Sequence, residues 1–182
     1  CRASPIALNI VTLLIPPRAM EARQTPAVIH REDYTPFSWV LHTTDLDVDL
    51  FDNRAVICVT LDISPNPDAA MADNLVLNGE SQELISVSVD GAELQASRYQ
   101  LADGKLTITG LRGQHKIAVT SAHNPYENTA LEGLYASGGM LCTQCEPEGF
   151  RRICFYPDRP DVMSIFTVRI EADSAFVNLL SN

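Results

Sequence analysis

The sequence predicts an all-β fold, an antiparallel β-sandwich or open barrel, on three observations. Short segments alternate polar and apolar residues with period two, the pattern of a half-buried strand. Asp90-Gly91 and Asp103-Gly104 punctuate such segments, and Asp-Gly between apolar runs is a strong hairpin signal. Almost nothing has a helical period, and only Pro67 to Asn74 has room for one brief turn. Strands at short intervals joined by tight turns build sandwiches and barrels.

The elements follow in order from Tyr34. Asp45-Leu46-Asp47-Val48-Asp49-Leu50 alternates strictly, and Arg54 to Ile63 is a second run rich in β-branched residues. Ser64-Pro65-Asn66-Pro67-Asp68 breaks it. Glu83 to Asp90 alternates again, and Glu93 to Gln100 is expected as its return strand. Asp103-Gly104 joins Tyr99–Leu101 to Lys105–Thr109, and Ile117–Thr120 reads as a short strand. Ser121 to Glu132, polar and carrying Asn124-Pro125, reads as a loop. Phe150–Tyr156, Met163–Glu171 and Phe176–Ser181 are expected as closing strands, the last ending mid-pattern as in a truncated domain. Pro157-Asp158-Arg159-Pro160 is a rigid turn, because each proline fixes φ and restricts its predecessor. Trp39, the sole tryptophan, is expected in the core or at its edge.

The chain has 182 residues, 46% apolar and 20% charged, enough for one domain with a substantial core. A net charge of -10 excludes nucleic acid and an anionic membrane surface as expected partners, since both require a basic face. Five cysteines at irregular positions suit reduced thiols in a cytoplasmic protein better than a disulfide framework. Residues 1–33 are expected to be an extension, disordered or partly upstream of the true start. Its apolar run Pro5–Ile15 is too short for a membrane span, and no small-x-small cleavage site follows. Met20 is the expected initiator. Residues 34–182 form the expected β domain.

The densest stretch runs from Asn128 to Val162. If Leu141–Glu146 is extended, Gln144 and Glu146 share one face and Cys145 points to the other. A carboxylate and an amide one strand step apart converge on a small cation such as an ammonium group. An edge strand with solvated polar residues gives the same pattern, and spacing does not separate the two. Cys142-Thr143-Gln144-Cys145 is a lone CxxC. Structural zinc needs four ligands, and an extended i,i+3 pair faces opposite ways, so two partly buried thiols are expected.

Asn128-Thr129-Ala130-Leu131-Glu132-Gly133-Leu134-Tyr135, then Cys142 to Arg152, then Tyr156-Pro157-Asp158-Arg159-Pro160-Asp161-Val162 resemble the amino-terminal domain of bacterial aminopeptidase N, a zinc metallo-aminopeptidase family. The resemblance extends from about residue 30 to 182 and is weak before about residue 80. It implies that Gln144 and Glu146 bind the free α-amino group of a peptide, with zinc held by a downstream catalytic domain. An α-ammonium has three donors, which suit a carboxylate and an amide oxygen. His30, His42, His115 and His123 are isolated, and no His-Glu-x-x-His occurs, so this chain alone is expected neither to bind zinc nor to hydrolyse peptides. Arg151 and Arg152 are expected to pair with Asp158 or Asp161. Glu132–Tyr135 is expected to pack the loop base, with Gly133 at an unusual backbone angle. The alternative to a domain of such an enzyme is a non-catalytic β-sandwich interaction module.

Overall fold

The computed structural model describes residues 28, 30–71 and 73–174. The Pro5–Ile15 run, Met20 and the expected strand Phe176–Ser181 lie outside the described residues. The chain divides into two units at Tyr34/Thr35. In the first, the described part is a single 3-10 turn, Arg31–Asp33, closed by hydrogen bonds from the Asp33 and Tyr34 amides to the carbonyls of His30 and Arg31.

The second unit is all-β, as the alternating pattern predicts. Its strands are β1 (Trp39–Phe51), β2 (Arg54–Pro65), β3 (Asn74–Asn78), β4 (Glu83–Val89), β5 (Ala92–Glu93), β6 (Tyr99–Ala102), β7 (Lys105–Thr109), β8 (His115–His123), β9 (Gly133–Ser137), β10 (Met140–Gln144) and β11 (Ile165–Ala172). A six-stranded sheet has the order β11-β1-β2-β8-β4-β5, a three-stranded sheet β3-β7-β6, and β9 and β10 stand as a separate pair. Period-two alternation sends Leu46, Val48, Ile57, Val59, Leu61, Ile117 and Val119 inward, where they join Leu75, Leu77, Leu106 and Ile108 of the three-stranded sheet in one core. Phe155, wholly buried, closes that core against Gly79, where a Cβ would fall 2.3 Å from the Phe155 ring. Trp39 is buried at the start of β1 and donates its indole N–H to the Asn74 carbonyl at 2.8 Å. The opposite face of the large sheet carries Asp45, Asp47 and Asp49, and Arg169 lies 3.6 Å from Asp47 and 3.3 Å from Asp49.

Both Asp-Gly turns form. Asp90 and Gly91 take φ of 53° and 81°, and Asp103 and Gly104 take 50° and 68°, the twin left-handed geometry of a tight hairpin. The Asp90 carboxylate accepts the Lys116 amide at 2.8 Å and meets the His115 ring at 2.8 Å. These bonds, the backbone one first, hold its carboxyl below the usual range. The residues after Asn66 form only a hydrogen-bonded turn, with the Ala69 amide on the Asn66 carbonyl.

Four expectations are corrected. Glu93–Gln100 is not one return strand: β5 has two residues, and a 3-10 turn at Ala96–Arg98 redirects the chain into the second sheet. The Arg98 guanidinium, donating to the Thr109 and Gly110 carbonyls, fixes that departure. Phe150–Tyr156 is not a strand but a 3-10 turn at Phe150–Arg152 followed by a single bridge from Tyr156 to Asn78. Its amides are occupied locally: those of Ile153 and Cys154 bond the Phe150 carbonyl, and that of Arg151 bonds the Asp158 carboxylate. The loop expected from Ser121 begins only at Asn124, because β8 stays paired with β2 through His123. β11 pairs with β1 in parallel, so one edge of the large sheet departs from the antiparallel rule.

Candidate functional site

The β9–β10 hairpin carries the residues singled out by sequence. Gly138 and Gly139 take φ of 57° and 81°, the same turn geometry as the Asp-Gly hairpins. Gly-Gly between two apolar segments is a turn signal that could have located this hairpin. Met140 pairs with Ser137, Leu141 with Ala136, Cys142 with Tyr135, Thr143 with Leu134 and Gln144 with Gly133. The strand ends there, so the extended run expected through Glu146 is two residues shorter. The Gly149 amide bonds the Glu146 carbonyl at 2.6 Å, which turns the chain toward Phe150–Arg152 and ends the ladder.

Gln144 and Glu146 are both exposed, Gln144 as the last residue of β10 and Glu146 two positions beyond. Among the described residues, neither side chain has a hydrogen bond or an ion pair. Their charged neighbours are all engaged. Arg151 lies 3.0 Å from Asp158 and 3.4 Å from Glu148, and Arg152 lies 2.7 Å from Glu80 and 3.3 Å from Glu132. Arg151 thus takes Asp158 as expected, Asp161 pairs with Arg159, and Arg152 reaches partners not anticipated. Among the described residues, Glu146 has no internal cation, an arrangement open to an external one.

The hairpin base is fixed by Gly133, at the unusual backbone angle expected of it, and by contacts of Arg152 and Asn128 that the sequence reading passed over. Gly133 has φ of 72°, and a Cβ there would fall 2.5 Å from Arg152 Cβ and 2.8 Å from the Arg152 carbonyl carbon and oxygen. Asn128 donates from Nδ2 to the Glu132 carbonyl at 2.7 Å and the Leu134 carbonyl at 2.9 Å, and accepts the Ala130 amide at 3.1 Å. Asn is a frequent former of such turns, a signal available from sequence. The Ala136 amide donates to the Pro125 carbonyl at 3.0 Å. Leu134 is buried as expected of the loop base, and Tyr135 is half-buried, facing Cys142 across the ladder.

A cleft of about 290 Å³ lies beside this base, lined by Glu80, His123, Asn124, Glu127, Asn128 and Arg152 among others. Burial pushes the His123 imidazole down, partly opposed by the Leu134 backbone. The cysteines Cys58, Cys142, Cys145 and Cys154 are free thiols. Cys142 is half-buried but Cys145 is exposed, which departs from the expected pair of partly buried thiols. The Cys145 thiol is nonetheless raised, first by desolvation and then by the Asp158 charge, so it lacks the depressed pKa of a reactive cysteine. Among the described residues, no three His, Cys, Asp or Glu side chains come together in a metal-holding group.

The Peptidase M1 N-terminal domain family matches residues 40–182. The chain belongs to that family. Aminopeptidase N of Caulobacter vibrioides is 43% identical over 158 residues, covering 87% of this chain and 18% of the relative. Aminopeptidase N of Escherichia coli is 39% identical over 160 residues, with the same two shares. The chain thus spans less than a fifth of the curated relatives it matches. Among solved structures, aminopeptidase A of Legionella pneumophila in complex with aspartic acid superposes with a TM-score of 0.71 at 30% identity, covering 76% of this chain and 16% of that one. An M1 zinc metallopeptidase from Deinococcus radiodurans shares the fold, with a TM-score of 0.64 at 17% identity over 77% of this chain and 34% of its own.

Proposed function

We propose that this chain is the amino-terminal β domain of a zinc-dependent aminopeptidase, and that Gln144 and Glu146 anchor the α-ammonium of the peptide substrate. The observation that carries the reading is the isolation of Glu146. Every other carboxylate named around the hairpin base has a partner, while Glu146 and Gln144 project without one among the described residues. An exposed carboxylate and amide oxygen at the end of a hairpin offer two acceptors to a three-donor cation. Once a neighbouring domain excludes water, the ammonium requires an anion beside it. Anchoring the free amine also confines cleavage to the chain end, since an internal peptide has no ammonium.

Zinc belongs to residues of the parent enzyme outside this chain, where it would polarise the scissile carbonyl. This chain's part is to bind and orient the amine. The free thiols fit a reducing, cytoplasmic setting.

The test is steady-state kinetics on the full-length enzyme with unblocked dipeptides. Glu146→Gln keeps shape and removes charge, and should lower kcat/KM by about 2–4 kcal/mol, roughly 30- to 1,000-fold. Gln144→Ala removes a neutral acceptor and should cost on the order of 1 kcal/mol. Zinc content should be unchanged in both. A wild-type rate for Glu146→Gln would show the anchor role to be wrong.

A further inference from the structure

We propose that Asn128 is a positioning residue for the amine-binding pair, setting where the hairpin presents Gln144 and Glu146; the inference rests on the anchor reading above. One side chain makes three hydrogen bonds across five residues, to the Ala130 amide and to the carbonyls of Glu132 and Leu134. That span holds two left-handed residues, Leu131 at φ 59° and Gly133 at φ 72°. A non-glycine residue such as Leu131 resists that conformation and keeps it only where surrounding bonds impose it. Asn128 supplies those bonds.

From Asn128 to the site the connection is short. Leu134 and Gly133 are the ladder partners of Thr143 and Gln144. The Leu134 carbonyl bound by Asn128 therefore belongs to the residue paired next to the anchor. Gly133, directly opposite Gln144, is pressed against Arg152, which is itself held by Glu80 and Glu132. Shifting the 128–132 turn must shift the start of β9, the end of β10, and so Gln144.

The chemistry selects asparagine. Two donors and one acceptor are needed at this side-chain length, and only a primary amide offers both from one group. Aspartate keeps the shape but has no donor, and would aim a carboxylate at two carbonyl oxygens. Serine has a single donor. Asn128→Asp is therefore a severe change here despite its size.

The experiment uses the full-length enzyme and two zinc-binding competitive inhibitors, an amino-acid hydroxamate and its counterpart lacking the α-amino group. Their affinity ratio reads amine recognition alone, and partial unfolding, which removes active molecules, leaves it unmoved. Asn128→Asp should lower the ratio by about 10- to 100-fold, the penalty typical of a misplacement near 1 Å, with zinc content unchanged. Asn128→Ser should lower it less, and it decides the matter if the aspartate variant does not fold. In a Glu146→Gln background both substitutions should lower the ratio far less, by no more than the neutral Gln144 acceptor contributes, because the charged half of the anchor is gone. A wild-type ratio in the folded Asn128 variants, with a collapsed ratio in Glu146→Gln, overturns the positioning role and leaves the anchor intact. A wild-type ratio in Glu146→Gln itself overturns the anchor, and this inference with it.

Discussion

Replacing Gly133 by alanine tests whether the hairpin base is locked against the Phe150–Arg152 turn. Two costs combine. An L-residue at φ 72° adopts a left-handed conformation, at about 1–2 kcal/mol. The new Cβ would also lie 2.5 Å from Arg152 Cβ and 2.8 Å from its carbonyl group. These are backbone or backbone-attached atoms, and Arg152 is held by its amide bond to the Gly149 carbonyl and its ion pairs with Glu80 and Glu132. Forcing such an overlap adds about 1–3 kcal/mol, for a total of about 2–5 kcal/mol. Gly91→Ala is the control: φ is 81° there, yet nothing lies within 4 Å, so only the conformational cost of about 1–2 kcal/mol applies. The assay is native-state hydrogen exchange, because a two-stranded unit opens locally before the core unfolds. Gly133→Ala should raise exchange of the β9–β10 ladder amides by about 30-fold or more, up to the unprotected limit, and leave the β2–β8 ladder nearly unchanged. Gly91→Ala should affect the β4–β5 end instead. If Gly133→Ala exchanges no faster than wild type on β9 and β10, the packing against Arg152 is refuted.

Phe155→Ala empties a fully buried site and should cost about 3–5 kcal/mol in urea unfolding of the chain; a loss under about 1 kcal/mol would mean the ring does not fill the core. His123 has a folded pKa below its ordinary 6.5, so its neutral form is the one the fold favours. Stability should therefore be fullest above pH 6.5 and decline as pH falls toward the lower folded value, with the Leu134 backbone hydrogen bond opposing the desolvation that drives it. His123→Leu should flatten that decline in a pH series of thermal melts. Asp90 is likewise depressed, so its contribution should hold above its ordinary 3.8 and vanish at lower pH; Asp90→Asn should remove this acid limb.

How far the sequence reaches depends on whether a residue's role is local. The Asp90-Gly91 and Asp103-Gly104 turns were legible because a twin left-handed turn is specified by its own two residues. The inward faces of β1 and β2 were legible because alternation is a property of the strand itself. The parallel pairing of β11 was not, since it depends on which distant strand offers a free edge. Glu93–Gln100 was misread because its break comes from Arg98 reaching the Thr109 and Gly110 carbonyls, eleven and twelve residues away. Spacing singled out Gln144 and Glu146 without deciding their role, resemblance supplied that role, and the structure adds what neither gave: they are exposed and, among the described residues, without internal partners, while Arg151 and Arg152 are committed elsewhere.

The placement of these two residues explains why the polar loop beside them is so heavily bonded. They stand at the end of a two-stranded hairpin outside both larger sheets, and such a pair is marginal alone in water. Core burial does not fix them, since both are exposed, and in the proposed anchor role they must stay so to meet the ammonium. Precision has to come from the base: Gly133 pressed on Arg152, Arg152 bridged to Glu80 and Glu132, and Asn128 spanning the turn. Two classes of substitution should therefore separate. Changes in the core, such as Phe155→Ala, should lower stability while leaving selectivity for the free amine intact. Changes at Asn128 should alter that selectivity with a far smaller effect on global unfolding, because two of the three bonds they remove lie in an exposed loop.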